Sequence, residues 1–259
     1  MLPEYLAPYK ESNLIRLGDK KDGGYIISKK TISKIEYLIS FGLGLNWSFE
    51  NDFFKIKNDT IIFCYDHTIN SKTFLSKFFI DFIIFVKSLK NFGEIFIFFR
   101  YQNFFKKNRK HIKKRIVPNY IENIYPNTEC INNIMNNKKN ILLKIDVEGD
   151  EYRLFDDIIN IQDKLNTLII ELHNIDLHKK KIESFILKLN KLRLIHTHGD
   201  NFGDLDENND PTVIELTFLH VSLCDNMKTK NCSLPLENLD YPNKENRNDV
   251  KLNFKVNPK

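Results

Sequence analysis

The densest chemistry in the chain lies in Leu143-Lys144-Ile145-Asp146-Val147-Glu148-Gly149-Asp150-Glu151. An apolar strand here would deliver Asp146 at its carboxyl end. The two-residue period of extended chain places Glu148 on the same side, and Gly149 permits a sharp exit into a helix. Four acids within six residues repel one another unless a cation, a positively charged substrate group or a helix N-terminus stabilises them. Asp150 and Glu151 are read as first-turn helix residues; Asp146 and Glu148 are read as ligand-facing.

A second carboxylate arrives on the next apolar run, which ends in Glu171-Leu172-His173-Asn174. Asp146 and Glu171, each at a strand end, are carboxylates of the kind that bind a divalent ion, Mg²⁺ or Mn²⁺, which would hold and acidify a bound hydroxyl. His196 and His198 share a side of their strand, and a chain reversal after Gly199 leaves them at the same sheet edge. His198 is the third ligand expected to join Asp146 and Glu171. The alternative role for His173 or His198 is general base, since imidazole titrates near neutral pH. His67, His111, His178 and His220 are read as structural.

Further upstream, Phe41-Gly42-Leu43-Gly44-Leu45-Asn46-Trp47-Ser48 follows a strong strand. Glycines in such a turn let the backbone approach a ligand, and Asn46 and Ser48 can cap the following segment or bind ligand polar groups. A pyrophosphate cofactor wants a third glycine where Trp47 stands, so a phosphate-free nucleoside cofactor fits better. Asp66 ends the next strand, placed to accept the hydrogens of two ribose hydroxyls.

Positioning these groups requires a wound α/β sheet. Strands are predicted at Tyr37–Phe41, Thr60–Tyr65, Ile95–Arg100, Ile141–Ile145, Thr167–Leu172, Leu192–Thr197 and Val213–His220. Helices are predicted at Phe74–Leu89, Glu129–Asn136, Glu151–Ile158 and Lys180–Asn190. The polar loop Gly199–Pro211 has no room for an ordinary helix, so the last two strands should form an antiparallel hairpin. The basic stretch Phe104–Arg115 is read as a solvated face, and residues from Asp225 onward as an irregular tail or late cover of the site. The expected class is thus a Rossmann-like α/β fold. It has a mostly parallel seven-stranded sheet, an antiparallel last strand and helices on both faces. One domain spans 1–259, with an N-terminal cover over 1–35 and a core over 36–224.

Composition agrees with a globular chain: 259 residues, 42% hydrophobic and 28% charged, with 21 Phe against 1 Trp. A net charge of +5 from 39 basic and 34 acidic side chains is a near balance, and no aromatic-interleaved motif accompanies the basic run, so nucleic acid is not an expected partner. Cys64, Cys130, Cys224 and Cys232 lack paired spacing, and no cleavable signal precedes them, which points to reduced thiols in the cytoplasm. Apolar stretches are too short to span a bilayer. Phe74–Leu89 mixes aromatics with lysines as interfacial helices do, though a core-facing helix is the plainer reading.

Leu142–Glu151 resembles the LKIDVEGAE signature of FkbM-type methyltransferases, with Asp150 where many members carry a small residue. Arg16-Leu17-Gly18 with Asp22-Gly23-Gly24-Tyr25, and Ser40–Gly44 with Trp47–Glu50, resemble a bacterial subgroup. So do Glu171-Leu172-His173, His196–Asn201 and Leu239–Asn243. Where relatives carry two Asn after His-x-His-Gly, this chain has Asp200-Asn201, a difference expected at the acceptor site. The resemblance covers nearly the whole chain. It implies S-adenosylmethionine as cofactor and O-methylation, with a sugar or nucleotide-activated sugar as acceptor in capsule or surface-glycan synthesis.

The cofactor site expected on these grounds comprises Phe41, Gly42, Gly44, Asn46, Trp47, Asp66, Asp146 and Glu148; the catalytic set is His173, His198 and Asp146. The rivals are an NAD(P)-dependent nucleotide-sugar oxidoreductase, which would need a Tyr/Lys pair not evident here, and a methyltransferase acting on RNA, protein or another metabolite. Oligomeric state is left open, with a homodimer among the options.

Overall fold

The computed structural model describes residues 1–88, 96–121, 124–225, 229–230 and 233–255. Its centre is a sheet of β1 (Tyr37–Phe41), β2 (Ile61–Tyr65), β3 (Arg109–Ile112), β4 (Ile141–Ile145), β5 (Leu165–Leu172), β6 (Leu192–Gly199) and β7 (Ile214–His220), in the order β6-β7-β5-β4-β1-β2-β3. The pairings among β1 to β5 are parallel, whereas β7 runs antiparallel to both β5 and β6. The antiparallel strand therefore lies inside the sheet, and β6 takes the edge. Every residue of β4 is buried, as expected of a parallel strand covered on both faces.

The helices are α1 (Lys29–Ile32), α2 (Ser48–Ile56), α3 (Ser71–Ser88), α4 (Ile97–Phe104), α5 (Ile131–Met135), α6 (Phe155–Ile161) and α7 (Ile175–Lys188). Residues of α5, α6 and α7 pack on one face of the sheet with Ile39, Leu143 and Ile170, where the Phe155 and Phe185 rings stack at 3.8 Å. On the other face Leu38, Leu142 and Ile169 meet the aromatic residues of α2, α3 and α4. Alternate strand residues serve alternate faces, so one sheet carries two cores.

The strand predicted at Ile95–Arg100 is corrected: from Ile97 onward it is helix α4, and Ile95 lies outside the described residues, as does Leu89 of the predicted Phe74–Leu89 helix. Ile97, Tyr101 and Phe104 recur at helical spacing and are buried against Trp47 and Phe74. The missing third strand is β3, inside the basic stretch read as a solvated face. Among the described residues β3 pairs only with β2, so it is an edge strand, where a polar sequence is tolerated. Helix α2 and the hairpin Leu14–Leu17/Tyr25–Ser28 were not anticipated. Cys64 and Cys130 are buried and Cys224 half-buried, all unbridged, while Cys232 lies outside the described residues.

Candidate active site

Strands β1 and β4 are neighbours whose chains leave in opposite directions along the sheet, the switch point at which open α/β sheets form a crevice. At their ends the Asp146 amide donates to the Phe41 carbonyl at 2.9 Å. Gly42, at φ +81°, passes so close that a Cβ there would lie 1.6 Å from the Asp146 carbonyl oxygen. This glycine is a packing requirement between two strand ends, and it bends the following loop over the sheet edge.

Asp66 at the end of β2 fixes that loop. One carboxylate oxygen accepts the Leu43 and Gly44 amides at 3.0 and 2.9 Å; the other accepts the Thr68 amide and hydroxyl at 2.8 and 2.6 Å. Burial alone would raise its pKa, yet these hydrogen bonds outweigh it and hold the carboxyl below its usual range. All four acceptor directions of this residue, expected to bind the ribose, are thus engaged in shaping the turn. Asn46 joins the loop to the N-terminal hairpin: its Oδ1 accepts the Ser48 amide, and its Nδ2 donates to Asp19 and to the Asp22 carbonyl, both at 3.0 Å.

The result is a cleft of about 550 Å³ whose walls include Gly42, Gly44, Asn46, Asp66, Asp146 and Glu148. Two of the expected cofactor residues stand elsewhere. Phe41 is wholly buried beneath the cleft, and Trp47 turns away into an aromatic cluster, 5.6 Å from Phe74 and 5.9 Å from Tyr101 between ring centroids. Its large ring is better buried there than in an acidic, solvated cleft. Lys114 and Arg115, from the basic stretch, line the far wall and are paired with Glu129 and Asp150.

Beside the cleft, Asp146, Glu171 and His173 converge, with one ligand-type atom from each lying within 4.8 Å of the others. The Tyr25 hydroxyl lies 3.3 Å from both Asp146 Oδ2 and Glu171 Oε2. Burial, then Asp146 and Glu215, push the Glu171 carboxyl well above the ordinary range, and Asp146 Oδ1 is buried with no partner among the described residues. Lys144 points to the same side, 4.0 Å from Glu50 and 4.9 Å from the Tyr25 ring, and supplies a buried cation among these acids.

His173 is held by Glu151. Their Nδ1 and Oε1 atoms are 3.0 Å apart, while Nε2 faces Glu148 and Glu171 at 3.4 and 3.5 Å. Burial disfavours the imidazolium, but Glu151, Asp146 and Glu148 together raise the His173 pKa above 6.5. Glu151 is fully buried and also accepts the Val147 and Gly149 amides at 3.2 and 3.1 Å, closing a turn in which Glu148 and Gly149 have φ of +54° and +104°. Its role as a mere first-turn acid is therefore corrected.

His198 is not brought to Asp146 and Glu171. Its two ring nitrogens lie 3.1 Å from Glu215 and 3.0 Å from Asp249, and it is almost wholly buried. His196 pairs with Asp240 at 3.1 Å. Because β7 is inserted between β5 and β6, the β6 histidines face Glu215 and the C-terminal segment rather than the end of β4. Tyr25, Lys144, Asp22 and Glu151 are the site residues the sequence reading passed over. The one signal available for them was their position inside motifs already noted.

No protein-family model matches the chain, and no curated protein does. Among solved structures, similarity is found to the Methanococcus jannaschii fibrillarin pre-rRNA processing protein, with 12% identity over 73% of this chain and 68% of that one and a TM-score of 0.39. It is also found to precorrin-6y C5,15-methyltransferase from Geobacter metallireducens (12% identity, 73% and 86% coverage, TM-score 0.36). A third is the human methyltransferase 10 domain containing protein (11% identity, 74% and 73% coverage, TM-score 0.41).

Proposed function

We propose that the cleft binds S-adenosylmethionine and that the chain transfers its methyl group to a hydroxyl of a sugar or nucleotide-activated sugar. The observation that carries this reading is the sign of the charge around the glycine turn. Five carboxylates line the cleft, Asp22, Asp66, Asp146, Glu148 and Asp150, against three cations, Lys114, Arg115 and Lys144, of which the first two are paired with Glu129 and Asp150, and the switch-point loop contains no third glycine. Carboxylates there repel a pyrophosphate and attract an ammonium or sulfonium group, which favours the methyl donor over a dinucleotide. The FkbM-type resemblance supports the same cofactor. It is also the basis for assigning a hydroxyl acceptor and a cytoplasmic role in surface-glycan synthesis.

When bound, the cofactor supplies an electrophilic methyl group; the protein's own residues do the rest. The Asp66-tied turn shapes the nucleoside end of the cleft, and Asp146 and Glu148 face its cationic end. With Nδ1 engaged by Glu151, His173 presents Nε2 as the atom that accepts the hydroxyl proton, and the nearby acids stabilise the imidazolium formed. Asp146, Glu171 and His173 also fit a divalent cation, since their ligand atoms converge and Asp146 Oδ1 has no partner among the described residues. Mg²⁺ or Mn²⁺ held there would polarise the acceptor hydroxyl.

The test is calorimetric titration with S-adenosylhomocysteine, and separately with NADH, of the native chain and of Asp146→Asn. Binding of the former that weakens in the variant supports the reading; binding of NADH alone overturns it. Screening sugar nucleotides with and without a chelator then separates the base role of His173 from a metal role.

A further inference from the structure

The basic residues are unevenly placed. From Ser71 to Lys113 there are ten Lys or Arg and two acids, a charge of +8, so the rest of a chain of net +5 carries −3. The same segment holds eleven of the 21 phenylalanines. Helix α3 buries Phe74 in the cluster around Trp47, and its sole acid, Asp81, is buried and paired with Lys77 at 3.0 Å. Its outer face presents Leu75, Phe79, Phe82, Ile83 and Val86 at helical spacing, all between 38% and 65% exposed. Phe99 of α4, 54% exposed, packs edge-on against Phe78 and extends that stripe. An apolar face of this extent on a polar surface marks a docking site.

Next to it, Ile97, Arg100, Asn103 and Phe104 of α4 open onto a polar groove of about 700 Å³ that also includes Lys106 and Arg109. The two acids of the groove are engaged, Asp52 by Lys55 and the Gly18 amide, Asp19 by Asn46. Arg109 is nearly buried, stacked 3.9 Å over the Phe54 ring, with Nε donating to the Phe104 carbonyl. No carboxylate among the described residues pairs with Arg100 or Arg109. An apolar helix face beside cations that no described carboxylate pairs is the pattern of a helix lying in a lipid headgroup layer. No helix among the described residues is long and apolar enough to cross a membrane. A second copy of the chain docked here about a two-fold axis would set this cationic segment against itself.

We infer that the α3–α4 face docks on an anionic lipid surface. The Phe79/Phe82/Val86 stripe lies at the boundary between headgroups and acyl chains, and the exposed Arg100 and Lys106 lie against headgroup phosphates. This inference is independent of what the cleft binds.

The experiment is co-sedimentation of the full chain with phosphatidylcholine vesicles, and with the same vesicles containing phosphatidylglycerol. Two surface variants accompany it, Phe79→Ser/Phe82→Ser/Val86→Ser and Arg100→Glu/Lys106→Glu, with circular dichroism to confirm folding. The native chain is expected to partition onto the phosphatidylglycerol vesicles, to release as salt is raised, and to stay bound in added inorganic phosphate at matched ionic strength. The apolar variant should lose about tenfold or more in partitioning, and the charge variant roughly fivefold for each unit of charge changed. Three results would overturn the inference: no preference for phosphatidylglycerol, binding that both variants retain, or release by inorganic phosphate beyond the ionic-strength effect. A concentration-dependent dimer in sedimentation velocity that the apolar variant dissociates, without vesicle binding, would assign the face to a second copy instead.

Discussion

Glu151 Oε1 lies 3.0 Å from His173 Nδ1 while accepting the backbone amides of Val147 and Gly149, so one buried carboxylate both builds the turn after Asp146 and orients the imidazole beside it. The two motifs, far apart in sequence, meet through that atom. A group with this double duty should show in stability and in catalysis separately.

Replacing Glu151 with Ala leaves two part-buried amides and a ring nitrogen unpaired, so unfolding free energy should fall by about 2–3 kcal/mol. Glu151→Gln keeps an acceptor and should unfold within about 1 kcal/mol of the native chain. Its kcat should nevertheless fall by roughly 10²-fold, because the carboxylate no longer favours the imidazolium. Denaturant melts and steady-state rates separate the two effects; equal kcat in Glu151→Gln would remove His173 from the mechanism.

His173→Ala is expected to lower kcat by about 10²- to 10⁴-fold with S-adenosylhomocysteine affinity retained. Added imidazole should restore part of the rate if the ring acts as base. Absence of rescue together with a chelator-sensitive native rate favours the metal role.

Gly42 and Gly44 should respond to alanine to very different degrees. At Gly42 a Cβ would strike the Asp146 carbonyl oxygen, so Gly42→Ala must part β1 from β4 and is expected to cost more than about 4 kcal/mol or prevent folding. At Gly44, φ is +55° and no atom lies within 4 Å of the new Cβ, leaving only the left-handed backbone cost of about 1 kcal/mol. Thermal unfolding of both variants checks the contrast.

Burial, and next the Glu215 charge, raise Asp200 from its ordinary 3.8 to about 6, even though the Phe202 amide opposes the shift. The folded chain therefore keeps this proton where the unfolded chain has lost it, and stability contributed by Asp200 falls as pH rises from 3.8 to about 6. His198, raised well above 6.5 by Glu215 and Asp249 against its burial, has the same sign at higher pH: its contribution is full below 6.5 and is lost as pH rises through the folded value. Asp66 and Glu215, held low, act oppositely and lose their contribution only in acid. Stability should thus peak on the mildly acidic side. Asp200→Asn should flatten the decline between 3.8 and about 6, by of order 2 kcal/mol, in denaturant melts across pH.

Much of the sheet was legible because parallel strands covered on both faces must be apolar along their length, as in Ile141–Ile145. Edge strand β3 was not, because an edge tolerates Arg109-Lys110-His111, and a Phe-rich run at helical spacing upstream passed for the strand it displaced. Trp47 was assigned to the cofactor on its place in a motif, but nothing in local sequence reports which way a side chain turns once three helices stand beside it.

The sequence by itself determined the alternation of strands and helices, the glycine turn after β1, and the acids at the ends of β2, β4 and β5, since these follow from periodicity and local backbone freedom. Only the tertiary structure decided which of those groups meet. Inserting β7 between β5 and β6 moved His198 to Glu215 and Asp249, while the helical turn after Gly149 brought Glu151 to His173. Such pairings depend on strand order and docking geometry, and spacing along a chain does not encode either.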